Sequence, residues 1–296
     1  MTPQVPLENG RLGTRDVARY RAQGYLSPVP AVTADQAARW RAELESVERD
    51  WITAGLPSPL NSYKRVNAQC VMPLAYEIGA HPAVLDVVEG VLGPDILLYA
   101  VEFFIKEPHT TQVITLHQDL TYWGLGEIDG LVTTWIALSP ATLASGCMEF
   151  VAGSHKNPIL PHHDTFDANN LLSRGQEIAV GVAQEDIVAI ELAPGQMSLH
   201  HGLMIHGSGP NATSDRRIGA VVRYLSPEVA LQSGDKDYAI PLRGEDRHGN
   251  FVHYAPPSGY FTAGDLATYA KIRARQHKAQ AAGAAKSLVY DTEAPQ

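Results

Sequence analysis

Cysteine is scarce in this chain: of 296 residues only Cys70 and Cys147 carry thiols, and no CxxC pair occurs. That leaves no material for a disulfide framework or a thiolate zinc site, and it fits a reducing compartment. A basic block is missing too. Lys and Arg number 23 against 32 Asp and Glu, a formal charge of −9 with histidine neutral, which argues against nucleic acid or an anionic membrane surface as the partner. The most apolar run, 96–105, spans about ten residues and contains Glu102, too short to cross a bilayer. The opening MTPQVPLENGRLG has no apolar stretch of the secretory kind, and the closing EAPQ is not a peroxisomal S-K-L address. A cytoplasmic protein is expected. Gly (25) and Pro (20) stay below the share that marks low-complexity disorder, and 45% hydrophobic residues suffice for a sizeable core.

The periodicity changes along the chain. Residues 34–50 read as a helix opened by Thr33 and Gln36, which have the spacing of a capping box, and 83–92 read as a second helix stopped by Gly93-Pro94. From Ile96 onward come eight β-rich runs: 96–105, 112–116, 131–138, 147–152, 177–183, 186–192, 197–201 and 218–225. Gly, Pro, Ser and Asn turns separate most of them and no amphipathic helix intervenes, which favours an antiparallel sandwich or barrel over a βαβ fold. The connection 153–176 is too long for a hairpin and suits a lid or binding loop. Residues 265–288 read as a surface helix followed by a tail. One domain is expected, with a mostly helical flank over 1–94, a β core over 95–228 and an extension over 229–296.

With 12 histidines, a His-x-Asp pair proves little, and it occurs twice, at 117–119 and at 162–164. His117 and Asp119 follow a β-rich run, where residues i and i+2 point the same way and can face one metal. The second pair lies inside the long loop, a poorer place to hold ligands in fixed geometry. His206, in the later segment HGLMIHGSGPN, offers a third nitrogen. Two His and one carboxylate on one face of a metal leave positions open, the arrangement suited to non-haem Fe(II) and O₂.

Taken in order, HQDLTYW, VTTWIALSPATLASGCMEFVAGSHK, HGLMIHGSGPN and an Arg eleven residues beyond His206 resemble the phytanoyl-CoA dioxygenase family of Fe(II)/2-oxoglutarate oxygenases across about 96–227. The resemblance implies a double-stranded β-helix (jelly-roll, cupin-like) core: two four-stranded sheets facing each other, N-terminal helices on one sheet, a C-terminal helix outside. It implies that His117, Asp119 and His206 bind Fe(II), and that Arg217 grips the distal carboxylate of 2-oxoglutarate beside Ser208 and Trp135, with Gln118 among the cosubstrate residues. A planar, always-charged guanidinium matches that carboxylate; Arg216 then points outward to solvent. Because Asp119 is present, the resemblance favours hydroxylation over halogenation, in which a small residue at that position makes room for chloride. The expected outcome is hydroxylation of an unactivated carbon of a small polar metabolite, with succinate and CO₂ released. Desaturation, cyclisation or an acyl-CoA substrate would use the same core, a catalytically silent metal- or metabolite-binding sensor should have lost a ligand, and a cupin-like Zn or Mn enzyme is the remaining rival.

Several residues are candidates for choosing the substrate. Pleat alternation places Arg223 on the Arg217 face, pointing inward or paired at the surface. Glu102, Phe104 and Lys106 share a strand face, so Glu102 either binds a substrate amine, pairs with Lys106 or faces water. Lys64, Arg65 and Asn67 form a polar cluster suited to a carboxylate, phosphate or phosphonate, or a solvated surface. Tyr122 and Trp123 suit an apolar wall beside the reacting carbon or packing in the core. His201, five residues before His206, is expected to orient the ligands by a hydrogen bond.

Overall fold

The computed structural model describes residues 3–280 apart from Tyr122, Phe166, Ala168, Ser173 and Arg174. The chain opens with a ribbon of β1 (Leu7–Glu8) and β2 (Arg11–Leu12), followed by α1 (Thr14–Gln23) and β3 (Tyr25–Pro30). Then come α2 (Ala34–Trp51), α3 (Leu60–Arg65), α4 (Pro73–Gly79) and α5 (Pro82–Leu92). The strands that follow are β4 (Ile96–Lys106), β5 (Ile114–His117), β6 (Leu131–Ala137), β7 (Met148–Val151), β8 (His162–Asp164), β9 (Gln176–Ile178) and β10 (Ile187–Ile190). The last described elements are β11 (Gln196–His201), β12 (His206–Ser208), β13 (Arg217–Leu225), β14 (Asp237–Arg243), β15 (Phe251–His253) and α6 (Ala263–Gln280).

The helices start and stop where their residues dictate. Thr33 caps α2 by accepting a hydrogen bond from the Gln36 N–H at 3.1 Å. Pro82 opens α5, where a missing N–H costs nothing, and Gly93 takes a positive φ of 86° just past its end. The helical flank nonetheless contains a strand that sequence reading overlooks. β3 carries Pro28 and Pro30, which hide its strand character, and it pairs with β11 at the edge of the large sheet, where Pro is tolerated.

Two sheets face each other, in the orders β15-β14-β4-β13-β6-β11-β3 and β10-β7-β12-β5. The inner members β4, β13, β6 and β11 with the second sheet make the double-stranded β-helix. The large sheet has seven strands rather than four because flanking segments cover both of its edges, which would otherwise expose unpaired backbone groups. The expected strand at 177–183 shrinks to β9, which pairs only with β8 outside the two sheets. The place expected for it is taken by β12, whose three residues with Gly and Ser read as a turn.

β13 shows why the site lies where it does. All nine of its residues are buried. Ile218, Ala220, Val222 and Tyr224 pack on the helical side with Val101, Phe103, Trp40, Ile78 and Val88, each large side chain contributing about 1.5–3 kcal/mol of burial. Arg217, Gly219, Val221 and Arg223 take the opposite parity and face the second sheet. One strand therefore supplies both core and cavity wall.

Candidate active site

β5 and β12 are antiparallel neighbours with His117 directly opposite His206. Asp119 begins a 3₁₀ turn just after β5, so this turn, not a continued pleat, brings its carboxylate round. Asp119 Oδ1 lies 3.4 Å from His117 Nε2 and 3.9 Å from His206 Nε2, and among the described residues these three form the group able to hold a metal ion, with ligand atoms within 4.8 Å of one another. Two metal–ligand bonds of about 2.1 Å each span such gaps. The histidine tautomers suit the task. His117 Nδ1 donates to the Thr115 carbonyl at 2.9 Å and His206 Nδ1 to the Met204 carbonyl at 3.0 Å, which turns both Nε2 atoms toward Asp119. Burial, reinforced by His117, pushes the His206 pKa down to about 4. Burial alone would raise the Asp119 carboxyl, but Arg223 and the two imidazoles outweigh it and hold it well below the usual range. The triad thus offers a His206 imidazole held neutral near pH 7 and an Asp119 carboxylate held ionised.

A cavity of about 770 Å³, counting its open mouth, runs past this triad. At one end Arg217 is 1% exposed, and its Nε and Nη2 have no hydrogen-bond partner among the described residues. The Trp135 ring lies 5.2 Å from its guanidinium. Gly219 makes room for that indole, since a Cβ there would fall 2.0 Å from Trp135 Cζ2. Lys106 sits opposite Arg217 in register and donates to Ser208 Oγ at 2.7 Å and to the Ser208 and Gly209 carbonyls. Burial, with Arg217 adding, lowers its pKa to about 6. A buried, unsatisfied guanidinium beside a hydroxyl is a fitting receptor for a carboxylate.

On the other side of the triad, Arg223 Nη1 pairs with Glu102 Oε1 at 2.7 Å, its Nε lies 3.6 Å from Asp119 Oδ2, and its guanidinium stands 4.5 Å over Trp123. Glu102, Trp123 and Arg223 all line the cavity. Glu102 thus pairs with Arg223 rather than Lys106.

Other expected positions lie elsewhere. Gln118 is buried away from the cavity: its side-chain amide donates to the Pro158 and Leu203 carbonyls and its oxygen accepts from Leu160 N–H, so it ties down the long loop. Lys64 turns back to Glu48 on α2. Asn67 donates to Gln276. Arg65 stacks 4.1 Å over Phe104, behind the cavity wall, and donates to the Leu171 carbonyl at 2.6 Å. His201 points away, bonded to Asp129 and the Leu203 N–H, while its neighbour His200 lines the cavity. Arg216 faces outward as expected but meets Glu48 and Glu107 rather than water alone. Tyr122 lies outside the described residues. The 162–164 pair forms β8, where His162 Nε2 accepts from the Gln118 N–H at 3.2 Å. Lys106 shares the Glu102 and Phe104 face as expected but bonds to Ser208 instead of Glu102, whereas sequence reading missed His200, whose inward turn follows from its register with Thr133.

Residues 20–219 match the family model described as Phytanoyl-CoA dioxygenase (PhyH), and the chain belongs to that family. The rat "Phytanoyl-CoA dioxygenase, peroxisomal" is 25% identical over 76% of this chain and 72% of its own length. The "1-deoxypentalenic acid 11-beta-hydroxylase" of Streptomyces arenae is 29% identical over 46% of this chain and 50% of its own. The chain spans about half the length of the curated nematode relatives that it matches. Among solved structures, the non-heme monooxygenase ThoJ, in its apo form, superposes with a TM-score of 0.79 at 32% identity, covering 88% of this chain and 96% of that one. "CytC3 with Fe(II) and alpha-ketoglutarate" shares the fold with a TM-score of 0.63 at 19% identity, covering 84% and 96%. Among the described residues, no helix is long and apolar enough to cross a membrane.

Proposed function

We propose that this protein is an Fe(II)/2-oxoglutarate-dependent oxygenase that hydroxylates an unactivated C–H of a small polar metabolite and releases succinate and CO₂. The observation that carries this reading is one cavity holding the His117, Asp119 and His206 triad together with a buried Arg217 whose Nε and Nη2 have no hydrogen-bond partner among the described residues. His117, Asp119 and His206 hold Fe(II) on one side, and Arg217 with Ser208 takes the distal carboxylate of 2-oxoglutarate against Trp135. When bound, iron and the 2-oxo acid supply O₂ activation and hydrogen abstraction. The protein's own work is to bind, orient and keep water out; no side chain has to act as a general base. The names of ThoJ and the Streptomyces hydroxylase, both oxygenase names, support the reaction type.

The substrate class follows from charge. Near the triad the cavity wall is an internally balanced Glu102–Arg223 pair, which suits a neutral or zwitterionic polar molecule better than a highly charged acyl-CoA, a preference that the overall charge of −9 strengthens. A cytoplasmic location is part of the same proposal, although the rat relative's name includes peroxisomal. The test is anaerobic purification, loading with Fe(II), and measurement of O₂ consumption and succinate release with 2-oxoglutarate and panels of amino acids, phosphonates and acyl-CoAs. Substrate-stimulated succinate release is expected; metal-dependent turnover indifferent to both 2-oxoglutarate and O₂ would sink the reading.

A further inference from the structure

Beside the triad stands a histidine that neither metal ligation nor the Arg217 end uses. His200 is 1% exposed, lines the cavity, and has its ring 4.9 Å from that of His206 and 5.0 Å from that of Phe150. It is not in the ligand group. Neither Nδ1 nor Nε2 has a hydrogen-bond partner among the described residues, whereas the two ligating rings each have Nδ1 tied to a carbonyl. A neutral imidazole carries one N–H donor and one lone pair, and leaving both unused in a buried place destabilises the fold.

Its neighbours repeat the pattern. His200 is the cross-strand partner of Thr133, which in turn is the partner of Arg223. Cross-strand partners share a face, so Thr133 lies between two cavity residues, and its Oγ1 too lacks a partner among the described residues. Arg223 reaches Asp119 and stands six positions along β13 from Arg217, so this row lies at the level of the triad rather than at the distal-carboxylate end. A 2-oxo acid has two carboxylates. Arg217 would receive one, and the other, if held by the triad's metal, would present acceptor oxygens to the side on which His200 and Thr133 have spare donors.

We infer that His200, seconded by Thr133, donates a hydrogen bond to the metal-bound carboxylate of 2-oxoglutarate. This rests on the oxygenase reading above. The test uses the full chain loaded with Fe(II) and 2-oxoglutarate without O₂, whose visible metal-to-ligand charge-transfer band reports on the bound 2-oxo acid. His200→Phe keeps a flat ring and removes both polar atoms. It is expected to shift the band, to raise the Kd for 2-oxoglutarate about tenfold, as for loss of one charge-assisted hydrogen bond, and to leave the metal-free protein melting no lower than the parent. His200→Gln, which keeps a donor, should restore part of the affinity, and Thr133→Val should show a smaller change of the same sign should the Phe variant fail to fold. A band and Kd unmoved in both His200→Phe and Thr133→Val overturn the inference, as does a fall in metal-free melting temperature with binding intact, which marks a packing role. No band in the parent protein overturns the oxygenase reading itself.

Discussion

Arg217 and Arg216 are neighbours on one strand with opposite fates, and replacing each in turn tests the orientation of β13. Burial, the main cause, lowers the Arg217 pKa from its ordinary 12.5 to about 10. At about 1.4 kcal/mol per pH unit this corresponds to roughly 3 kcal/mol of unfavourable burial that a bound carboxylate offsets. Removing one partner of a buried charge pair costs about 2–5 kcal/mol. Arg217→Met should therefore raise the Kd for 2-oxoglutarate by a factor of about 30 to several thousand, while the ligand-free protein keeps or gains stability because an unsatisfied guanidinium has gone. Arg216→Ala removes an outward ion-pair network to Glu48 and Glu107 with a side chain 20% exposed, so it should cost about 1 kcal/mol of stability or less and leave affinity unchanged. Anaerobic titration of the Fe(II)-loaded variants, paired with urea unfolding of the metal-free forms, measures both quantities. Equal losses of 2-oxoglutarate affinity in the two variants would refute the assignment.

Asp119→Ala removes the one carboxylate of the triad and should abolish turnover and sharply weaken Fe(II) binding; metal titration by calorimetry checks this, and full activity would end the ligand assignment. Gly219→Val should drive the Trp135 indole off its seat, since even a Cβ would lie 2.0 Å from it, so 2-oxoglutarate affinity should fall at least tenfold with far-UV circular dichroism unchanged; parent-like affinity would mean that the indole has another place to go. The metal-free protein should lose stability as pH falls from 6.5 to about 4: with His206 held down to about 4 mainly by burial, the unfolded chain takes up a proton in that window that the folded chain refuses, worth roughly 3 kcal/mol. His200 and His162, also lowered chiefly by burial, act in the same direction. Unfolding midpoints in urea that stay flat across this range would contradict the burial of these imidazoles.

Much of the fold is legible because strand and helix signals are local. The Thr33 cap, the Gly93 stop and the runs that became β4, β6, β11 and β13 follow from adjacent residues. The failures are non-local. Nothing within Tyr-Leu-Ser-Pro-Val-Pro announces that β3 covers an edge of the large sheet, because its strand identity comes from β11. Likewise β12 is held between β5 and β7, and its three residues owe their strand form to those neighbours rather than to propensity.

The site divides along the same line. Ligand spacing in HQD and the Arg eleven residues past His206 can be read along the chain, yet which side chain of a pair enters the cavity depends on register. His200 faces in and His201 faces out because β11 pairs His200 with Thr133 across β6, and a one-residue slip would exchange them. Gln118 stands between His117 and Asp119 in sequence but is turned away from the cavity at the bend between β5 and the turn that follows, where it is buried against Pro158, Leu160 and Leu203. The same bend that aims Asp119 at His117 and His206 therefore commits Gln118 to the long loop. Triad geometry and loop position are coupled through adjacent residues, so a change at Gln118 should reach Asp119 through the backbone rather than through the cavity.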